Sequence, residues 1–450
     1  MASSPSSNLR GSSASGARTP SSSFSSLLQL ALIVVGAPLI FYVARGAVGG
    51  FFAADDFHFL TTARDGTWDH IFAIGDGDRF YRPVVQFWFA GAVRVCGQGA
   101  PCFHLLHLAA HGVAGALLFA LVYYVSRDRA LSSVTTVVFM VSPGYAEAVL
   151  WVSCATEVLS AVFLLATVLL CLRAADTERR RTWMLAAAAA LGAVFSHEAG
   201  TALFLLVPAF LWLTGRGSSI RVANLWPFAV VGLLFALALV VANWRNPLLT
   251  EGDYKFGLHM IRNGLDYLVS LYIGPHAATG YVTMALAVSA VVAVGPSSAR
   301  LGATWMLLTM LPFLGFVSGT TSRYLYAPTM GFAWMIAGLL VTLGDWIERR
   351  SGGTRLAVVT VGTVSAFIVL RFSIFTLEAI RDRLDWFDAY KTYATAFERM
   401  HPEARGLREI AAPYPEHPNV RVESIQPLLR WTLESPDLIV HVQPKPDGKQ

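Results

Sequence analysis

Apolar runs follow one another along most of this chain, near 27–43, 103–125, 132–146, 154–172, 183–196, 199–214, 223–243, 278–295, 301–318, 327–344 and 355–375. Crossing the ~30 Å hydrocarbon core takes roughly 20 residues of helix, and a backbone in lipid must satisfy its own hydrogen bonds. The spacing therefore predicts an all-α polytopic membrane protein with about eleven transmembrane helices. Composition agrees. Only 14% of residues are charged, 55% are hydrophobic and the mean hydropathy is +0.53, whereas a soluble domain carries about 25% charged residues. A soluble enzyme, a disordered chain and a nucleic-acid binder are excluded.

Charge then orients the spans. Arg127 and Arg129, Arg173 with Arg179 to Arg181, Arg216 and Arg221, Arg300, and Arg349, Arg350 and Arg355 fall in alternate connections. Short basic loops mark the cytoplasmic side, so the net charge of +5 reports orientation rather than an acidic partner. The other connections, 44–102, 143–153, 196–200, 244–277 and 319–326, hold most of the acids. This predicts a disordered cytoplasmic tail over 1–25, a transmembrane domain over 26–375, and a small extracytoplasmic domain over 376–450. In that last part Trp386, Tyr390, Tyr393 and Phe397 share a helical face, and 437–442 reads as a strand. Cys96 and Cys102 lie in an outer loop, where a disulfide can form.

Polar residues gather at the outer ends of the spans. Asp55 and Asp56 follow the first span, with His58 just after. Adjacent carboxylates repel and raise one pKa, which suits a general base or a metal ligand; a solvated helix N-terminus is the plainer alternative. Arg82, Glu147, Glu157, the pair His197–Glu198, and Arg323 with Tyr324 and Tyr326 all fall on the same side as the acidic pair. Ionisable groups at membrane depth face a cavity or a partner, so the set reads either as an anion site with an acid or base beside it, or as ion pairs joining helix ends. Asp76-x-Asp78 resembles a metal-ligand pair but, with glycines at 75 and 77, reads rather as a turn, and residues 83–95 read as interfacial. His104, His107 and His111 share one helix face, the spacing of a metal site; with no Cys or carboxylate at ligand spacing on that helix, they read rather as a packing or hydrogen-bonding face. No Walker loop, dinucleotide fingerprint or HExxH is present, so nucleotide-driven chemistry has no support.

Taken in order, Asp55-Asp56, Tyr81-Arg82-Pro83, Phe103-His104 with His111, Ser142-Pro143 through Glu147 to Trp151, Ser196-His197-Glu198 and Arg323-Tyr324-Leu325-Tyr326 resemble the GT-C membrane glycosyltransferases. They are most similar to the protein O-mannosyltransferases that carry tetratricopeptide repeats and to their bacterial relatives, over about residues 27–345. The chain departs from that pattern at Ser153 to Glu157, where the family often has Arg, and at His197, where it often has Lys. It also lacks a repeat array.

The resemblance implies a GT-C-like fold with interfacial helices in the first outer loop, in the cell membrane, its site facing the extracytoplasmic side. It implies transfer of a sugar, mannose or a similar hexose, from a polyprenyl-phosphate donor to a hydroxyl on a protein or glycan acceptor, with inversion. Asp55 is then the base, with Asp56 second. Arg323, Arg82, His197, Tyr324 and Tyr326 hold the donor phosphate, and Glu147, Glu198 and His58 contact sugar or acceptor. No resident cofactor is implied; use of a divalent metal stays open. A multi-pass transporter or lipid-carrier flippase, or a non-catalytic polyprenol-binding protein, are the alternatives. A transporter places its ionisable groups near the midplane, often in repeated halves; here they collect at one face.

Overall fold

The computed structural model describes residues 40–42, 45–46, 48–66, 68–72, 80–217, 225–243 and 252–445. The first expected span, apart from 40–42, and the Asp76–Asp78 turn lie outside the described residues. After a tight turn at 53–56 come α1 (Asp56–Asp65), α2 (Trp68–Phe72) and α3 (Pro83–Cys96). The bundle continues through α4 (Ala100–Ser126), α5 (Arg129–Val141), α6 (Ala146–Leu150), α7 (Ala155–Thr177), α8 (Arg180–Ser196), α9 (Leu203–Leu213), α10 (Trp226–Asn243), α11 (His259–Tyr272), α12 (Ala278–Val294), α13 (Ser297–Met310), α14 (Tyr326–Ser351) and α15 (Thr354–Met400). The chain ends in β1 (Glu409–Ala412), α16 (Ile425–Thr432) and β2 (Ile439–Val442), with β1 and β2 paired in parallel from Glu409 opposite Ile439.

Among the described residues, four helical stretches are long and apolar enough to cross a membrane: Ala100–Ser126, Val152–Thr177, Ser322–Ser351 and Thr354–Met400. A fifth forms if Arg129–Val141 and Pro143–Leu150, bent by 56° at their junction, count together. That bend lies at Pro143, which cannot donate to the preceding turn. The runs expected to span at 199–214, 223–243 and 278–295 form shorter apolar helices. Hydropathy measures greasiness, and 17 helical residues reach only about 26 Å. α15 is the opposite case. At 47 residues it is about 70 Å long and runs without a break across position 375, where the sequence suggested a domain boundary.

Local chemistry explains where these helices stop. Asp128 caps α5 by accepting from Ala130 and Leu131 N–H, which satisfies two otherwise orphaned donors. Gly352, at φ 67°, closes α14, because the left-handed cap favours glycine. The turns at 127–128 and 178–179, with Arg216, meet at one end of the bundle, where Asp176 accepts from Tyr124 and from Arg216. The acidic turn and the segments at 142–154, 197–202 and 322–325 meet at the other. Cys96, ending α3, and Cys102, in the first turn of α4, are joined by a disulfide.

The C-terminal part folds back onto the site end. Tyr390 of α15 packs on Phe57 with ring centroids 5.8 Å apart, and Trp431 of α16 packs edge-on against Phe52 at 6.0 Å. Arg64 of α1 donates to the Arg430 and Trp431 carbonyls. The aromatic face expected on α15 is used in this way: Trp386 donates to the Asn419 carbonyl, and the Tyr390 hydroxyl accepts from Arg421 N–H.

Candidate active site

The two adjacent aspartates point in opposite directions. Asp56 N–H closes the turn onto the Ala53 carbonyl at 3.0 Å, and the Asp56 carboxylate accepts Ala53 N–H at 2.9 Å. Between them Ala54 adopts φ 47°, a left-handed conformation costing a residue with a Cβ roughly 1–2 kcal/mol. The reversal buries Asp56 completely, where it also accepts from the Ser153 N–H (2.6 Å) and hydroxyl (2.5 Å). Asp55 stays exposed on the wall of a large cavity. Of the pair, Asp55 alone faces that cavity; Asp56 ties the turn to the 152–154 segment.

Burial pushes the Asp56 carboxyl up to about 7, against hydrogen bonds from Ser153 and Ala53 that favour its ionised form. A folded-state value above the ordinary 3.8 means that the folded protein holds an extra proton between about pH 4 and 7. Stability from this group is complete below pH 4 and is lost as pH rises through 7. Thermal midpoints in detergent are expected to fall across that window, and Asp56→Asn should flatten the fall. An identical slope in wild type and variant would remove Asp56 as its source.

Arg82 immediately precedes α3, where Pro83 opens the helix without needing a donor partner. Its guanidinium lies over the Phe80 ring at 4.2 Å and grips Glu198 through Nε at 3.2 Å and Nη2 at 2.5 Å. His197, between α8 and the short turn Glu198–Ala202, accepts Ala199 N–H on Nδ1 at 3.0 Å. The neutral ring then carries its hydrogen on Nε2, 3.8 Å from Glu157 Oε1. Burial, reinforced by Arg82, pushes His197 down to about 3, so it offers a neutral N–H rather than a cation.

Arg323 sits in the turn Ser322–Leu325 that leads into α14. Glu147 holds this turn, accepting from Arg323 N–H at 3.0 Å and from the Ser322 hydroxyl, while its other oxygen pairs with Arg383 of α15 at 3.3 Å. The Arg323 guanidinium lies 5.2 Å from the Trp151 ring and 5.1 Å from the Tyr324 ring. Tyr324 in turn stacks on Phe313 at 4.3 Å and Phe316 at 5.3 Å, each within 12° of parallel. Trp151 donates to the Ala53 carbonyl at 3.2 Å, so one indole joins the acidic turn to the arginine.

The cavity measures about 1120 Å³ and brings together Asp55, His58, Arg82, His197, Glu198, Arg323 and Tyr324. It does not reach Glu147, which clamps the Arg323 turn instead, nor Tyr326, whose hydroxyl bonds His111 Nδ1 at 3.0 Å. The histidine face on α4 is buried, and His104 Nε2 meets the Phe51 carbonyl at 3.3 Å. Sequence reasoning placed Glu157 in the outer polar set without a role of its own and did not single out Asp253, Tyr254, Arg421 or Glu423, all of which line the cavity. Glu157 carried a signal, as a carboxylate at the end of an apolar run; Arg421 and Glu423 reach the wall only because the chain folds back.

A bundle of membrane helices whose site lies at one end, behind an acidic turn following the first apolar run, has the fold of the GT-C membrane glycosyltransferases. Among solved structures it is similar to ArnT from Cupriavidus metallidurans bound to undecaprenyl phosphate, with a TM-score of 0.57 over 91% of this chain and 85% of that one, at 12% identity. At that identity the likeness is one of fold. No protein-family profile matches the chain, and no curated protein does.

Proposed function

We propose that the protein is a glycosyltransferase that moves a sugar from a polyprenyl-phosphate donor to an acceptor hydroxyl at the outer face of the membrane, with a mannose-like hexose favoured. The observation that carries this reading is the cavity, which is lined by an exposed carboxylate, Asp55, together with the half-buried guanidiniums of Arg82 and Arg323, on a GT-C fold. Asp55 takes the proton as the acceptor oxygen attacks the anomeric carbon, inverting it. Arg323, with the N–H of His197 and the Tyr324 hydroxyl, stabilises the phosphate that leaves. Glu198 keeps Arg82 in place at the wall, and His58 stands on the acceptor side with Asp55.

The cavity's far wall suits the donor's tail. Leu205, Leu239 and Leu311 line it and are also 51%, 38% and 41% exposed, so the cavity opens between α9, α10 and the turn that follows α13, toward the surface where lipid would lie. Undecaprenyl phosphate bound to the ArnT of similar fold agrees with a lipid-borne donor. The Cys96–Cys102 disulfide supports placing this end of the bundle outside, because such bonds persist in oxidising compartments.

The test is transfer by purified protein from a panel of polyprenyl-phosphate hexoses, comparing wild type with Arg323→Gln. Transfer from at least one donor, reduced roughly 100-fold or more in the variant, is expected for loss of a charge-stabilising donor. No transfer from any donor, with or without added divalent cation, would favour the transporter or flippase reading.

A further inference from the structure

The cavity wall carries five carboxylates, Asp55, Glu157, Glu198, Asp253 and Glu423, against three guanidiniums, Arg82, Arg323 and Arg421. An incoming phosphate therefore meets a wall with an excess of its own sign. It needs a cation whose present counter-ion is weakly held. The three arginines differ sharply on this point. Arg82 is locked by Glu198 in a two-pronged pair, Nη2 donating to Oε2 at 2.5 Å and Nε to Oε1 at 3.3 Å, the geometry that makes such pairs strong. Arg421 is exposed at the mouth, where water screens it.

Arg323 is half-buried in a cradle of Trp151 and Tyr324, and the carboxylate paired with its guanidinium, Glu157, stands off at 3.9 Å. The Arg323 Nε–H has no hydrogen-bond partner among the described residues. An unmade bond on a buried charged donor is costly, and a tighter anion would fill it. Only the Glu157 oxygen that faces Arg323 is loosely held: Thr156 donates to Oε2, whereas Oε1 lies 3.8 Å from His197 Nε2, and the side chain is 7% exposed. A small void bordered by Glu157, His197, Arg323 and Tyr324 adjoins it, which gives the carboxylate room to move.

We propose that Glu157 is a placeholder on Arg323 which the donor's phosphate displaces, so that this carboxylate sets donor affinity from within the anion site. The inference rests on the polyprenyl-phosphate reading above and goes beyond it by giving Glu157 a role. Glu157 is a positioning residue. It keeps Arg323 from collapsing onto a permanent partner in the empty site, and it opposes the phosphate once that has bound. Its charge is thus unfavourable to the bound state, the reverse of what a buried acid does in a purely structural ion pair.

Binding of undecaprenyl phosphate and of neutral undecaprenol to full-length protein in nanodiscs decides the matter. Glu157→Gln keeps the shape and the Thr156 contact while removing the charge. It is expected to tighten undecaprenyl phosphate roughly 10-fold, about 1.4 kcal/mol, and to leave undecaprenol unchanged. Glu157→Ala should shift binding in the same direction, which keeps the test open if the first variant folds poorly. Weaker or equal phosphate binding in the variants, with selective binding in wild type, overturns the placeholder role. Wild type that binds the phosphate no better than the alcohol overturns the donor reading itself, a distinguishable failure.

Discussion

Asp55→Asn is expected to lower the rate of sugar transfer about 1,000-fold, within the roughly 100- to 10,000-fold range of general-base catalysis, while changing undecaprenyl phosphate affinity less than about twofold. The substitution is nearly isosteric; it removes the carboxylate's charge and basicity and puts an amide NH2 in place of one oxygen. The two carboxylates nearest to it in role are committed elsewhere. Asp56, one residue on, is fully buried and already accepts from Ala53 and Ser153, and Glu198 is held by Arg82. The measurement is a paired transfer and binding assay on the same preparation. Transfer within tenfold of wild type, with the phosphate still bound, would falsify the base assignment. A parallel loss of binding would instead place Asp55 in donor recognition.

The second large effect lies away from the chemistry, where α13 and α14 approach backbone to backbone. A Cβ on Gly331 would come 2.3 Å from Met306 N, and one on Gly302 would come 2.3 Å from Met335 N. Small residues permit such approach in membranes, where packing rather than water exclusion drives helix association. No rotamer change relieves a clash with backbone. Gly331→Leu is therefore expected to force the helices apart and destabilise the protein by roughly 3 kcal/mol or more. Because the Arg323 turn feeds directly into α14, transfer should fall with it. The check is the thermal midpoint and monodisperse yield in detergent, beside Gly362→Leu as control, since nothing lies within 4 Å of a Cβ at Gly362. Equal midpoints in the two variants would contradict the close packing.

The apolar runs and their basic turns were enough to read a helical membrane chain and the end at which its polar residues gather. Motif order along the chain led to the GT-C fold. Partner choice was hidden. Whether Asp55 or Asp56 faces the cavity depends on φ at Ala54 and on Ser153, 97 residues away. Glu147 looked like a sugar ligand because its competitors, the Arg323 turn and Arg383, are remote in sequence. Tyr326 sits beside Tyr324 in the motif, yet the helical turn sends it inward to His111. Helix lengths were also illegible, since an apolar run does not say how much of it remains helical before a Pro or a three-residue turn intervenes.

The aromatic clasp between the two ends of the chain sets an order of events during synthesis. Phe52 and Phe57 flank the turn that carries Asp55, and their partners Trp431 and Tyr390 emerge from the ribosome more than 330 residues later. Until then the turn has Ser153 and Trp151 to hold it, but its outer side is bare. On the proposed function, competence for transfer therefore arrives as a late step of biogenesis. On that function, a chain made only as far as the end of α14 would already hold Arg82 and Arg323 without yet having a settled base.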